Sequence, residues 1–171
     1  MVVNPMMADA NDNHVIAGKR PKMSVAEFMF TGMRYNPWRM LARHMDVNTR
    51  ADLPTHIDAV TDGNRIWLRR GLTQAQRRSA LAHELVHAER GPVPKFAEAK
   101  EEELVEQIAA RRLIALDDLA EALVWHGGVV HADTADDCWS DVTMLRARIR
   151  ACTPREIEYL HRRFERIEGA A

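Results

Sequence analysis

Cysteine is scarce in this sequence: Cys138 and Cys152 are the only two, far apart and without the paired spacing of a thiolate metal site. Two thiols are also too few for a disulfide framework, so both are expected to be buried or idle in a reducing compartment. An excess of one charge sign is missing as well, since 24 Lys and Arg face 25 Asp and Glu. The chain therefore offers no broad electrostatic footprint for nucleic acid or an anionic membrane surface, and any such binding would have to be local. Nowhere do eighteen apolar residues stand together, and the opening MVVNPMMADANDNH has no basic run leading into an apolar stretch. These absences argue against a membrane span and a secretory leader, and a soluble cytoplasmic protein is expected.

What remains is ordinary globular material. Over 171 residues, 46% hydrophobic and 29% charged content suffices for one compact domain. Residues 1–23 show no periodicity and read as a flexible tail. A core over 24–130 and a helical extension over 131–171, packed on that core, are expected to follow. Ser24-Val-Ala-Glu27 has capping-box spacing. Asn36-Pro37 ahead of Trp38, Met40, Leu41, His44 and Met45 reads as a cap, a first-turn proline and an amphipathic helix that serves packing.

From Asp46 to Leu72 the pattern turns β-favouring: HIDAV and RIWL flank Asp62-Gly63-Asn64, whose tolerance of positive φ suits a hairpin. A small antiparallel sheet is predicted there. Thr73 with Gln76 three residues on should cap a helix running through LAHELVHAER to Gly91-Pro92. Periodicity predicts a second helix over 95–113 and a third, capped by Asp117 or Asp118, that ends near Trp125. Two more follow, one over 142–149 and one opened by the capping box and N1 proline of Thr153-Pro154-Arg155-Glu156. The fold class is α+β.

The motif that carries chemistry is His83-Glu84-Leu85-Val86-His87. Residues four apart share a helix face, so the two imidazoles can converge on one metal ion. Glu84, about 100° further round, is placed to take a proton from water rather than to ligate, as in H-E-x-x-H metalloproteases. With 8 His and 13 Glu among the 171 positions, random order would produce the pattern in about 3% of such chains. The context adds weight, because Gln76, Ser79 and Ala80 keep the histidine face free of bulk while Leu81 and Leu85 point the other way.

A catalytic zinc takes three protein ligands and leaves a position open, so one more must come from elsewhere. No third histidine follows at metzincin spacing, since Arg90 and Gly91 precede prolines. The following helix offers Glu101, Glu102, Glu103 and Glu106. Glu102 falls on the apolar stripe of Val105, Ala109, Leu113 and Leu116, where a carboxylate needs compensation, and is the favoured ligand, with Glu103 and Glu106 as alternatives. Glu101 and Glu103 turn about 100° to either side and are expected to be solvated. Glu106 could accept the other ring N–H of a ligand histidine. For oxyanion donors, His126, His131 and Tyr159 stand unranked.

These segments together resemble the ImmA/IrrE family of metallo-endopeptidases, regulatory proteases of mobile elements and stress responses. The likeness runs from TGMRYNPWRMLARHMDV through TDGNRIWL and RRSALAHELVHAERG to EEELVEQIAARRLI. The family pattern around the third ligand falls on Glu102, Val105, Glu106 and Ile108-Ala109; here Val105, Glu106 and Ile108 depart from it, and Ala115 replaces a common proline. The resemblance implies a zincin-like fold, Zn²⁺ held by His83, His87 and Glu102, Glu84 as general base, and a protein substrate, often a helix-turn-helix transcriptional repressor. WSDVTMLRARIRACTP resembles a helix-turn-helix fragment, but Arg146, Arg148 and Arg150 are thin material for base readout, and packing is the favoured role. Two rivals remain: a non-catalytic repressor- or DNA-binding module that retains the fold, and a chance motif on a charged helix.

Overall fold

The computed structural model describes residues 34–41 and 45–168. The expected tail over 1–23, the Ser24–Glu27 capping box and His44 lie outside the described residues. Asn36 does cap: its side chain accepts from the Trp38 amide, and Pro37 opens helix α1 (Pro37–Met40). The helix is shorter than its amphipathic pattern suggests, because Leu41 turns extended at ψ 125°.

Three strands follow, β1 (Asp46–Ala51), β2 (Ala59–Thr61) and β3 (Arg65–Arg69), in the order β1-β3-β2. The β2–β3 hairpin is antiparallel as predicted, and Gly63 at φ 91° supplies the left-handed position. The Asp62 carboxylate holds the turn by accepting from the Asn64 and Arg65 amides at 2.9 and 2.7 Å. The sheet is not wholly antiparallel, however, since β1 pairs in parallel with β3. The chain leaves β1, skips one strand position to lay down β2, and the tight hairpin returns β3 into the gap. That puts β3 in the centre with Ile66 and Leu68 fully buried, and leaves β2 as an edge.

Helix α2 (Gln74–Arg90) opens on the full Thr73/Gln76 capping box and stops at Gly91, φ 77°. Leu81 and Leu85 pack with Ile66, Leu68 and Leu72, so the helix lies on the sheet by its leucine face and turns its histidine face away. A 3₁₀ turn (Lys95–Ala97) leads into α3 (Glu98–Leu113), whose Val105, Ala109, Ala110 and Leu113 are buried. The last turn of α2 grips α3 near both ends, through Arg90–Glu101 and through Glu89–Arg112 at 2.8 Å.

Helices α4 (Leu116–Trp125), α5 (Ala132–Asp137), α6 (Val142–Arg150) and α7 (Pro154–Glu168) complete the described chain. Neither Asp117 nor Asp118 caps α4: the cap is Ala115, with no side-chain bond. Both aspartates sit in the first turn, where Asp117 accepts from the Tyr159 hydroxyl and Asp118 from Arg34. α5, a short helix capped by the His131 ring, was not expected. Among the described residues no helix is long and apolar enough to cross a membrane.

One carboxylate ties three of these helices together. Glu156 completes the predicted capping box with Thr153 and also accepts from Arg111 of α3, at 3.0 and 2.8 Å, and from Arg148 of α6, at 2.8 Å. Arg148 is only 2% exposed and gives its Nε to the Ile114 carbonyl, so it serves packing, not a groove. Burial alone would raise the Glu156 carboxyl, but the Thr153 amide and the two guanidiniums outweigh it and bring it down to about 2. Its folded value thus lies below its unfolded one, so its contribution to stability is complete above pH 4.5 and declines as pH falls towards 2. Glu156→Ala should cost about 3 kcal/mol by leaving Arg148 buried without its partner. Urea unfolding at pH 7 checks the loss, and the gap between variant and wild type should narrow between pH 4.5 and pH 2.

Candidate metal centre

The open face of α2 lines a cleft of about 1140 Å³, walled by the β2 edge on one side and by the starts of α3 and α6 on the other. His83 and His87 stand on that face one turn apart, as the spacing requires. Glu102, in the first turns of α3, reaches both: Oε1 lies 2.9 Å from His83 Nε2, Oε2 lies 3.1 Å from His87 Nε2, and the two Nε2 atoms are 3.0 Å apart. Of the four glutamates weighed, Glu102 is the one the fold delivers.

Such a triangle is hard to satisfy by hydrogen bonds. Each Nε2 carries either a proton or a lone pair. If both imidazoles donate to Glu102, two N–H groups face each other at 3.0 Å; if one accepts from the other, its lone pair opposes a carboxylate oxygen. A cation at the centre resolves the conflict. Tetrahedral zinc with bonds near 2.0–2.1 Å would separate its ligands by about 3.3 Å, close to the spacings found. A His-His-Glu group in this arrangement could hold a metal ion. Burial, opposed by the Glu102 charge and reinforced by His87, lowers the His83 pKa and so favours the neutral ring that can ligate.

The other glutamates differ from expectation in instructive ways. Glu102 does point along the direction of the Val105–Leu113 stripe, yet its side chain is 60% exposed, because at the helix start that direction opens into the cleft rather than the core. Glu101 is not free in solvent but bound in a bidentate pair by Arg90. Glu106 lines the cleft and its charge acts on His83, but its carboxylate accepts from Arg150 at 2.9 Å and not from an imidazole. Glu103 also lines the cleft, exposed, with Gln107 as its partner.

Glu84 is the outlier in the site. It is 7% exposed, faces the cleft, and has no hydrogen-bond partner among the described residues. Burial, with help from the nearby Glu102 charge, pushes its pKa up to about 7. A carboxylate poised there can take and return a proton near neutrality.

His126, His131 and Tyr159 line no part of the cleft. His126 meets Asp137 at 2.9 Å, His131 caps α5, and Tyr159 donates to Asp117. Cys138 is buried, its thiol pushed up to about 12 chiefly by that burial, and Cys152 is raised for the same reason, so neither is a ready thiolate. Sequence reasoning overlooked His56, Asp58 and Asp141 as cleft residues. A signal for Asp141 existed, since an aspartate directly before the apolar period of α6 is a cap, and its carboxylate accepts from the Met144 amide at 2.7 Å. His56 and Asp58 carry no such signal.

No family model matches this chain, and searches of curated proteins and of solved structures return no match.

The buried Glu84 makes a prediction about stability without metal. A carboxyl whose folded pKa is raised destabilises the fold as pH climbs from the unfolded value of 4.5 through about 7. In metal-free protein, Glu84→Gln should therefore gain on wild type across that interval, by up to about 3 kcal/mol at the alkaline end. Chemical denaturation at pH 4.5 and pH 8 would show it, and a constant difference between the two would count against a charged, uncompensated Glu84.

Proposed function

We propose that this protein is a metal-dependent hydrolase, and within that class a zinc endopeptidase of the ImmA/IrrE kind with a zincin-like core. The observation that carries the reading is the count and position of donors. Three protein ligands, not four, converge among the described residues, and a buried, partnerless carboxylate stands beside them. A structural zinc would be closed by a fourth protein ligand, whereas three leave a place for water.

The chain's own residues have separable parts. His83, His87 and Glu102 would hold the ion. Zinc, when bound, would supply positive charge that acidifies a water molecule and polarises the scissile carbonyl. Glu84 accepts the proton that the attacking water loses and passes it to the leaving amine nitrogen. The outer edge of β2, which pairs with no further strand among the described residues, lines the same cleft, and an extended peptide can hydrogen-bond to such an edge as an added strand, which favours a polypeptide over a small molecule. A helix-turn-helix repressor, acting in the cytoplasm, is the proposed substrate.

The non-catalytic DNA-binding alternative finds less support. Of the three arginines in the helix-turn-helix-like stretch, Arg148 is buried against Glu156 and Arg150 is engaged by Glu106. Phosphate contacts need free cations.

Incubating the zinc-loaded protein with the repressor encoded beside its gene should yield two discrete fragments, and chelator should abolish them. Glu84→Gln should bind zinc at wild-type stoichiometry yet slow cleavage by at least about 100-fold. Intact repressor after incubation with wild type, or near-normal cleavage by the variant, would defeat the assignment.

A further inference from the structure

The cleft wall is one-signed. Besides Glu84 and Glu102 it presents Asp58, Asp62, Glu103, Glu106 and Asp141, and among the described residues no lysine or arginine lines it. Arg150 offsets Glu106, and Arg69 offsets Asp58 through one carboxylate oxygen at 2.6 Å, both from outside the lining. A doubly charged ion among the ligands would leave the wall negative still. A chain that is nearly neutral as a whole has thus gathered its acidic excess in the cleft into which the buried Glu84 faces.

One end of the cleft has the makings of a side-chain pocket. Ser79 lies one turn before His83 on the same face of α2, and its Oγ accepts the Asp141 amide at 3.1 Å, which pins the start of α6 to α2. The Asp141 carboxylate is therefore held within about two turns of the imidazoles, or about 10 Å. Ala80 and Met144 give apolar lining, and Asp58 shares this end, close enough for its charge to add to the burial that raises Asp141. An aliphatic stem along Ala80 and Met144 with a cationic head at the carboxylates fits this chemistry, whereas an acidic side chain would be repelled.

We infer that Asp141, assisted by Asp58, is a specificity-determining residue that selects a lysine or arginine beside the bond to be cut. The inference rests on the peptidase reading, and it narrows the substrate to a basic segment. A protein that binds DNA carries such segments, because it must neutralise phosphates.

The test separates the two. Zinc-loaded Glu84→Gln protein is titrated against a fluorescein-labelled alanine-glycine dodecapeptide with one central arginine and against its twin with citrulline, which has the same shape and no charge. Arginine should bind about tenfold tighter at low salt, with the advantage shrinking as salt rises. Asp141→Asn, which keeps the cap, and Asp58→Asn, which leaves it untouched, should each reduce the ratio. Equal affinity for the two peptides, no affinity for either, or a ratio unchanged in both variants overturns the inference. Wild-type enzyme that cuts both peptides equally well also overturns it while sparing the peptidase reading. Selective binding with no cleavage of any peptide or of the repressor sinks that reading instead and leaves the selectivity standing.

Discussion

The rest of the site depends on one close approach: two imidazole nitrogens and the carboxylate of Glu102 held about 3 Å apart, with no arrangement of ring protons that satisfies all of them while that carboxylate stays ionised. The fold invests considerable structure in that crowding. α2 is anchored on the sheet by its leucine face, which fixes where the imidazoles point. α3 is fastened to the last turn of α2 by Arg90–Glu101 near its start and Glu89–Arg112 near its end, which fixes where Glu102 arrives. If either restraint slackened, Glu102 could swing into water, since at 60% exposure little but the imidazoles retains it.

Glu84 shows the other side of the arrangement. It shares a helix with the two imidazoles yet has no hydrogen-bond partner among the described residues, and its burial raises its pKa. Burial without a partner costs stability once this carboxyl ionises. The α3–α6–α7 junction at Glu156 is the counterweight: there burial is more than compensated, and the same residue type is driven to about 2. Two glutamates in one small protein thus have their acidities pushed apart by whether or not donors accompany the burial.

The approach of His83, His87 and Glu102 was more legible in the sequence than its surroundings. Helical spacing alone placed His83 and His87 together, and the capping box at Thr73 and Gln76 with the stop at Gly91 bounded their helix correctly. The direction of Glu102 on its helix was also readable, but not its exposure, since periodicity says which way a side chain points and not whether core or cleft lies there. Asp117 and Asp118 are not caps because the helix already begins at Leu116, which puts both inside its first turn, where Tyr159 and Arg34, distant in sequence, engage them. The parallel β1–β3 pairing was hidden for a like reason: a strand's partner is chosen by the route of the chain, not by its own residues.

By itself the sequence determined the local things: the helix that bears the imidazoles, the hairpin at Asp62-Gly63-Asn64, and the capping box at Thr153. These follow from period, cap and turn chemistry acting over a few residues. Tertiary structure alone decided that the Glu102 carboxylate reaches both imidazoles, that Glu106 turns to Arg150, and that Asp58 and Asp141 line the same cleft. Such contacts join positions tens of residues apart, and only the packing of α2 between the sheet and α3 sets the distances on which their electrostatics depend.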